Sequence, residues 1–309
     1  MTMPNEILGG VLSVIDDGVI GFDSGAYNIR YNGKAYATSS ANGVKIVPKK
    51  DKEGIDIYVD ANLKDGEVHI PVVVSESGKN DKVYNDFYIG ENADVRIIAG
   101  CGIHNDGCDS TSHAGIHVFH ISKGANVFYE EKHYGEGNGT GGRILNPKTE
   151  IFMDDDSTLT MDTAQIKGVD STDRETIVSL GKNARLFVKE KLMTHGNQTA
   201  NSDMIVNLNG EGSSAQIISR SVSKDNSVQI FHPQAIGNAP CQAHVQCDSI
   251  IMDSSSVRSI PEICANDNGA RIIHEAAIGR INNDQLLKLQ TLGLTEEEAE
   301  AVIIEDFLK

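Results

Sequence analysis

The chain has 309 residues, of which 39% are hydrophobic and 23% are charged, and its formal net charge at pH 7 is −17. These are globular values, so wholesale disorder is excluded, and the length suffices for a sizeable core. The acidic excess disfavours non-specific binding to nucleic acid or to an anionic membrane, because a protein binds phosphate through Lys and Arg.

The first 70 residues predict a small antiparallel β cap, since short apolar runs alternate there with turn signals. They carry acids early and lack a basic segment, which does not fit a secretory signal. Asn32 and Gly33 predict a hairpin, because Asn-Gly suits a type I′ turn. Throughout the chain no apolar run reaches ~18 residues, so we expect no spanning helix. Five cysteines, an odd number, indicate free thiols in a reducing cytoplasm.

A loose repeat begins at about residue 70. Strand-like runs such as GANVFYEEKHY, DSTLTMDTAQI and KNARLFVKEKL recur at spacings of roughly 27 to 32 residues. One such unit cannot bury both of its faces alone, whereas units stacked into a coil can. The pattern therefore predicts a β-helix, with a β-sandwich of hairpins as the alternative.

The end of the chain changes to a helical pattern. Asn282 or Asn283 can cap a helix over DQLLKLQTL, and Gly293 stands where the glycine after a helix belongs. Thr295 and Glu298 form a capping box for a second helix. Both helices are too short to be stable alone, so we expect them to pack on another surface.

The segment CGIHNDGCDSTSHAGIHVFH is rich in cysteine and histidine, the usual ligands of zinc. Its candidate ligands are Cys101, His104, Cys108, His113, His117 and His120. Their spacing fits no closed zinc motif, and the alternation in GIHVFHIS is typical of a strand, on which neighbours face opposite ways. Metal binding and simple stacking along the coil both remain open.

A glycine-rich segment, GEGNGTGG, contains the pattern GxGxxG at Gly137, Gly139 and Gly142. A dinucleotide-binding loop needs a strand before it and a helix after it, and Pro147 precludes a useful helix there. We therefore predict a flexible loop. No P-loop motif occurs, so the chain by itself is not expected to hydrolyse ATP.

Cys247, His274 and Glu275 lie about one coil of the repeat apart, so that stacking could bring them together. A thiolate, an imidazole and a carboxylate suit a labile iron site. The alternative is a buried cysteine acting as a small hydrophobe, with the other two bonded to nearby backbone. Cys241 and Cys264 are poorer candidates, and we expect structural roles for both.

Several segments together resemble the SufB/SufD family, the scaffold proteins of SUF-system iron–sulfur cluster assembly, and in particular its short stand-alone archaeal and anaerobe forms. The resemblance runs from about residue 70 to the end. It rests on CGIHNDGCDSTSHAGIH, EEKHYGEGNGTGG, SRSVSKDNSVQIF, AHVQCDSIIMD, SIPEICA, HEAAIGRINNDQLLKLQTLGLTEEEAEAVI and DFL.

This resemblance implies a mainly β fold, with a right-handed parallel β-helix core followed by a short C-terminal α-helical segment. The expected regions are a β cap over 1–70, the β-helix core over 71–278 and an ATPase-docking helical segment over 279–309. The N-terminal helical region of longer members is expected to be absent.

The resemblance also implies a function. The chain would be a non-enzymatic scaffold that holds a transient iron–sulfur cluster, with ATP used only by a SufC-type ABC ATPase partner. Cys247 matches the scaffold cysteine, Glu275 an acidic residue associated with cluster formation, and His274 a histidine that the paired subunit contributes.

The same resemblance implies two kinds of partner. A second SufB/SufD-like subunit would pair through the β-helix, and because all three site residues occur in one chain, a homodimer could form the site. The ATPase would bind the apolar contacts Leu286, Leu289, Leu292 and Leu294. Two other functions remain open: a purely structural partner of the ATPase that holds no cluster, and a carbohydrate-active β-helix enzyme.

Overall fold

The computed structural model describes residues 6–16 and 25–309, apart from the side chain of Ile166. The parts of the predicted cap at 1–5 and 17–24 lie outside the described residues. The N-terminal elements are α1 (Glu6–Ile15), β1 (Ala26–Tyr31), β2 (Lys34–Ser39), β3 (Val44–Pro48), β4 (Gly54–Val59) and β5 (Gly66–Val74).

The remaining strands form the body of the molecule, and two helices end the chain. They are β6 (Asn80–Ile89), β7 (Asp94–His104), β8 (Thr111–Ile121), β9 (Asn126–Glu136), β10 (Arg143–Leu145), β11 (Lys148–Met153), β12 (Thr158–Lys167), β13 (Ser171–Leu180), β14 (Arg185–Thr194), β15 (Thr199–Leu208), β16 (Ser214–Ser223), β17 (Val228–Gly237), β18 (Gln242–Ile251), β19 (Ser256–Ser259), β20 (Glu262–Ala265), β21 (Arg271–Gly279), α2 (Asn283–Thr291) and α3 (Glu296–Phe307).

The strands stack as a parallel β-solenoid, which confirms the predicted mainly β fold with short C-terminal helices. Successive coils contribute to two facing sheets, one running β2-β1-β5-β7-β9-β12-β14-β16-β18-β21 and the other β19-β17-β15-β13-β10-β8-β6-β4-β3. Asn80 pairs with Ser112, and Thr158 with Arg185, so one coil advances by 32 residues and a later one by 27. The predicted period is therefore correct, and the β-sandwich alternative is not.

The interior of the solenoid has an apolar side and a polar side. On β13 the inward residues Val178 and Leu180 join the apolar core, whereas Thr172, Arg174 and Thr176 are buried and polar. Neighbouring strands repeat this division, because parallel strands in register place residues of the same kind next to one another along the stack. A continuous band of buried polar side chains follows, and we call it the polar band; it includes Glu131, His133, Arg174, Glu190, Ser202, Ser219, Ser221, Gln229, Cys247 and Ser249.

Two antiparallel hairpins lie at the start of the stack, β1 with β2 and β3 with β4. Asn32 and Gly33 have φ values of 50° and 77°, so the predicted type I′ turn is confirmed. The predicted boundary at residue 70 falls inside β5, which pairs in parallel with β7 as a coil strand. Cap and core are therefore one continuous stack.

Helix α1, which the sequence analysis did not predict, packs on the outer face of β7. A Cβ on Gly102 would lie 2.1 Å from Cγ1 of Val11, so only glycine allows the helix to approach this closely. Leu8, Val11, Leu12 and Ile15 bury the apolar side of the helix. Packing, more than propensity, stabilises a helix this short.

The glycine-rich loop before β10 is packed rather than free, which corrects the predicted flexibility. The amide of Gly139 donates to the carbonyl of Asn105 at 3.0 Å, and a Cβ on Gly139 would lie 2.2 Å from the Gly107 carbonyl oxygen. The glycines thus permit two loops of adjacent coils to stack. The strand β10, and not a helix, follows the loop, as Pro147 predicts.

The caps of the C-terminal helices agree with the prediction. Asn282 caps α2, Thr295 and Glu298 form the capping box of α3, and Gly293 has a φ of 101°. Helix α3 lies beside β16, where Arg220 donates to the carbonyl of Phe307 at 3.3 Å. No described helix is long and apolar enough to cross a membrane.

The C-terminal end of the solenoid is open. All four residues of β20 are exposed, and β21 is largely exposed as well, because no further coil covers them. Ile260, Ile263, Ile273 and Ile278 are between 40% and 57% exposed. We call this surface the open end.

Candidate functional site

Cys247 and His274 meet inside the solenoid, next to the open end. Strands β18 and β21 are adjacent and in register, with Val245 opposite His274. Cys247 is two residues further along the same inward face, and its Sγ lies 3.3 Å from Nε2 of His274. Cys247 is 3% exposed, whereas His274 is half-buried. The structure thus brings two of the three predicted site residues together.

Glu275 does not join them within the chain. It follows His274 directly, so strand alternation places it on the outer face, where its side chain is 65% exposed. Its Oε1 lies 3.7 Å from Nε2 of His244. A role for Glu275 as a ligand stays a prediction, and it would require a second chain.

Burial controls the chemistry of the pair. Removal from water raises the pKa of Cys247 to about 11, and the charges of Glu190 and Asp248 act in the same direction, while Ser259 opposes them. Burial, followed by the charge of His244, lowers the pKa of His274. At neutral pH the pair is therefore a thiol beside a neutral imidazole, and a metal would have to displace the thiol proton.

The surroundings of Cys247 combine hydroxyl groups with apolar side chains. A cavity of about 10 Å³, room for about one water, is lined by Cys247, by Ser219, Ser221, Ser249 and Ser259, and also by Leu192, Ile230, Phe231 and Val257. The Ser221 and Ser249 hydroxyls are 2.8 Å apart. An interior of hydroxyl groups can accommodate a charged species that an apolar core would exclude.

Hydrogen bonds continue along the polar band away from Cys247. Glu190 accepts from Ser219 at 3.0 Å and from Ser202 at 2.8 Å. Arg174, whose Nε lies 3.9 Å from Glu190, donates to Glu131 at 2.6 Å. One guanidinium thus lies between two buried carboxylates and partly compensates their charge.

The cysteine and histidine cluster predicted as an alternative metal site does not come together as one group. Its histidines have separate partners: His104 lies 2.9 Å from Glu136 and 2.8 Å from Asp106, His113 2.8 Å from Asp81, and His117 3.0 Å from the Tyr129 hydroxyl, while His120 stacks between Tyr88 and Phe152. Cys108 is exposed. His113 and His117 are buried on the inward face of β8, whereas His120 lies on its outer face and stacks with rings of the neighbouring coils.

Cys101 alone among these candidates lies in a group of three metal-capable side chains. Its companions, Glu131 and His133, come from the next coil, and Cys101 stands opposite His133 in the register. The sequence analysis missed both companions. The repeat itself could have indicated them, since one coil of 32 residues separates Cys101 from His133.

The predicted docking leucines occupy the helical segment. Leu289 and Leu292 line an open groove of about 630 Å³ between α2 and α3, and Leu292 is 76% exposed. Leu286 and Leu294 are half-buried and lie outside that lining.

The remaining cysteines differ in their surroundings. Cys241 is buried in the apolar core, and Cys264 is exposed on β20, where its Sγ lies 3.1 Å from the side-chain oxygen of Asn266. Neither contacts the Cys247–His274 pair in the described parts of the chain.

Comparison with known proteins extends this description. Over 223 residues the chain is 31% identical to an iron–sulfur cluster assembly SufBD family protein of Methanothermobacter thermautotrophicus, a match covering 71% of this chain and 53% of that protein. A protein of the same description from Pyrococcus horikoshii is 27% identical over 280 residues, covering 89% and 84%. The chain spans about half the length of the Methanothermobacter relatives it matches.

The fold and the site define a class: a parallel β-solenoid with an interior cysteine–histidine pair at its open end and a helical C-terminal segment. The family profile described as SUF system FeS cluster assembly, SufBD core domain, matches residues 78–307. The chain therefore belongs to the SufBD family.

Proposed function

We propose that this chain is a scaffold, not an enzyme, on which an iron–sulfur cluster is assembled. The observation that carries the proposal is the 3.3 Å contact between Sγ of Cys247 and Nε2 of His274 at the end of a polar interior. A thiolate and an imidazole are ligands of iron–sulfur clusters. Cys247 would accept sulfur and bind iron, His274 would be a second ligand, and the cluster is a transient cargo.

A second copy of the chain would pair at the open end. At the open end, strands β19, β20 and β21 form the edges of both sheets. Their unpaired backbone groups favour association with another chain. The exposed isoleucines of this surface supply apolar contact area. Pairing here would enclose the Cys247–His274 site between two chains and would allow Glu275 of one chain to approach the site of the other.

A SufC-type ABC ATPase would dock on the helical segment. The groove between α2 and α3 presents Leu289, Leu292 and Val302, of which Leu292 and Val302 are exposed. Exposed apolar side chains on a helical surface are typical of protein–protein contacts. ATP would be used by this partner only.

We place the complex in the cytoplasm. All five cysteines are free. Free thiols persist where glutathione and thioredoxin keep a compartment reducing.

Anaerobic co-expression with the ATPase tests the proposal through the iron and labile sulfide bound per chain. Cys247→Ala should lower both by more than about tenfold, because the thiolate ligand is lost. Cys264→Ala is the matched control, since it removes an exposed cysteine and should leave both contents unchanged.

Two results would overturn the proposal. One is a Cys247→Ala protein with the wild-type content of iron and sulfide. The other is a wild-type complex that contains the ATPase but neither iron nor sulfide, which would indicate a purely structural partner subunit.

A further inference from the structure

A second group of ligand-type side chains lies in the polar band, far along the stack from Cys247. Cys101 on β7 and Glu131 and His133 on β9 point into the interior, and their relative exposures are 5%, 1% and 1%. One ligand atom from each lies within 4.8 Å of the other two. The in-register pairing of Cys101 with His133, and of Ala99 with Glu131, fixes this arrangement in the backbone.

Two of the three ligand atoms have no hydrogen-bond partner among the described residues. They are Oε1 of Glu131 and Nε2 of His133, and both are buried. A buried ligand bound between these two atoms would satisfy both of them. They lie 3.4 Å apart. Two ligands at ~2.0–2.1 Å in a tetrahedral site are separated by a similar distance.

Arg174 holds the opposite sides of the same two groups. It donates to Oε2 of Glu131 at 2.6 Å and to Nδ1 of His133 at 3.2 Å. The bond to Oε2 orients the Glu131 carboxylate, as outer partners of metal ligands do. A guanidinium only donates, so Nδ1 accepts and Nε2 carries the ring proton while the site is empty. A cation at Nε2 would require the ring proton to lie on Nδ1, so the guanidinium would have to release Nδ1 and turn toward Glu190, whose Oε1 is 3.9 Å from its Nε.

A divalent cation would neutralise the charge that remains among these groups. Glu131 and Glu190 with Arg174 leave one net negative charge when His133 is neutral. A divalent cation adds two positive charges. Binding releases the Cys101 proton to solvent, and the resulting thiolate brings the sum to zero. A buried site of low dielectric favours a set of groups whose charges sum to zero.

We propose that Cys101, Glu131 and His133 bind one borderline divalent cation, Zn²⁺ or Fe²⁺, inside the solenoid. Sulfur, nitrogen and oxygen ligands together suit these ions. A water would complete the tetrahedron. The site is separate from the Cys247–His274 pair, and the inference does not rest on the proposed scaffold function.

Cobalt titration of the full chain, freed of metal with a chelator under anaerobic conditions, tests this site. Co²⁺ bound by a thiolate has a charge-transfer absorption band in the near ultraviolet. We expect one equivalent of Co²⁺ to produce this band, competition by Zn²⁺ to remove it, and one proton to be released per cation. Cys101→Ser should abolish the band, and His133→Gln should weaken binding by at least about tenfold.

Cys108→Ser and Cys247→Ser are the controls, and both should retain the band. Circular dichroism of each variant verifies the fold, and Glu131→Gln provides a further variant should Cys101→Ser fail to fold. The proposal is overturned if no band forms, or if the band survives Cys101→Ser or disappears in Cys247→Ser. The last result would assign the metal to the other cysteine site and leave the scaffold function standing.

Discussion

Cys247 combines a 3.3 Å contact with an imidazole nitrogen and an adjacent cavity. Its thiol is protonated at neutral pH because burial raises its pKa to about 11. It is therefore a latent ligand that becomes a thiolate only when a metal or a base takes its proton. This property would protect the site from oxidation until iron or sulfur arrives.

The pH dependence of thiol modification tests this property. We expect Cys247 to react with a small alkylating reagent much more slowly than the exposed Cys264 at neutral pH, and its rate to keep rising up to about pH 11. Mass spectrometry of the digested protein gives both rates. Equal rates for the two cysteines at neutral pH would show that the thiol is neither buried nor raised in pKa.

The raised pKa of Cys247 also makes the free energy of unfolding decrease at high pH. An unfolded cysteine ionises near its ordinary pKa of 9.0, below the folded value of about 11. The folded state therefore holds its proton longer, and the contribution of Cys247 to the free energy of unfolding is complete below about pH 9. It is lost as the pH rises from about 9 to about 11.

At the scale of residues, the sequence allowed the proximity of Cys247 and His274 to be predicted. It did not allow the positions of Glu275 and Glu131 to be predicted. Cys247 and His274 are one coil apart, and the period alone brings them close. Glu275 could be assigned to the same set only by ignoring strand alternation, which sends it to the outer face. Glu131 was missed because its role depends on the register between β7 and β9, which differs from one pair of strands to the next.

At the scale of elements, coil period and helix caps were predictable because both depend on local residue types. The Asn282 cap and the Thr295 capping box are examples. Helix α1 was not predictable in this way. It is stabilised by its fit to β7 at Gly102, a contact between segments distant in the sequence. The packing of the glycine-rich loop before β10 likewise depends on a contact with a segment that is distant in the sequence.

The groove between α2 and α3, proposed to bind the ATPase, makes a prediction about Leu292 at the end of α2. Leu292→Asp should prevent co-purification with the ATPase, because it places a charge among the apolar side chains of the groove. Leu287→Asp is the control; it lies within α2, is 57% exposed and is outside the groove lining, whereas Leu292 is the residue that caps the end of α2. If both variants retain the ATPase, or both lose it, the groove is not the docking surface.

The edge strand β21 makes a prediction about pairing. Ile278→Lys should convert a dimer into a monomer in light-scattering measurements, because a lysine would be buried at the contact between two open ends. Phe187→Lys, on the side of the stack, changes a residue of matched exposure, 41% against 42%, and should leave the mass unchanged. A dimer that survives Ile278→Lys would exclude this surface.

At the scale of the whole molecule, three features converge on the C-terminal part of the solenoid. The Cys247–His274 pair lies just inside the open end, the edges of both sheets are exposed there, and α3 folds back beside β16. A force applied to the helices by a partner would thus act close to the pair. This proximity is the structural reason for expecting cluster assembly to depend on the ATPase.

The Mössbauer spectrum of the iron-enriched complex, purified anaerobically with its ATPase, tests the central role of Cys247 and His274 most directly. We predict a cluster signal in the wild type, its loss in Cys247→Ala, and a changed isomer shift in His274→Asn because a ligand of one iron is replaced. A Cys247→Ala complex whose cluster spectrum is identical to that of the wild type would contradict the account.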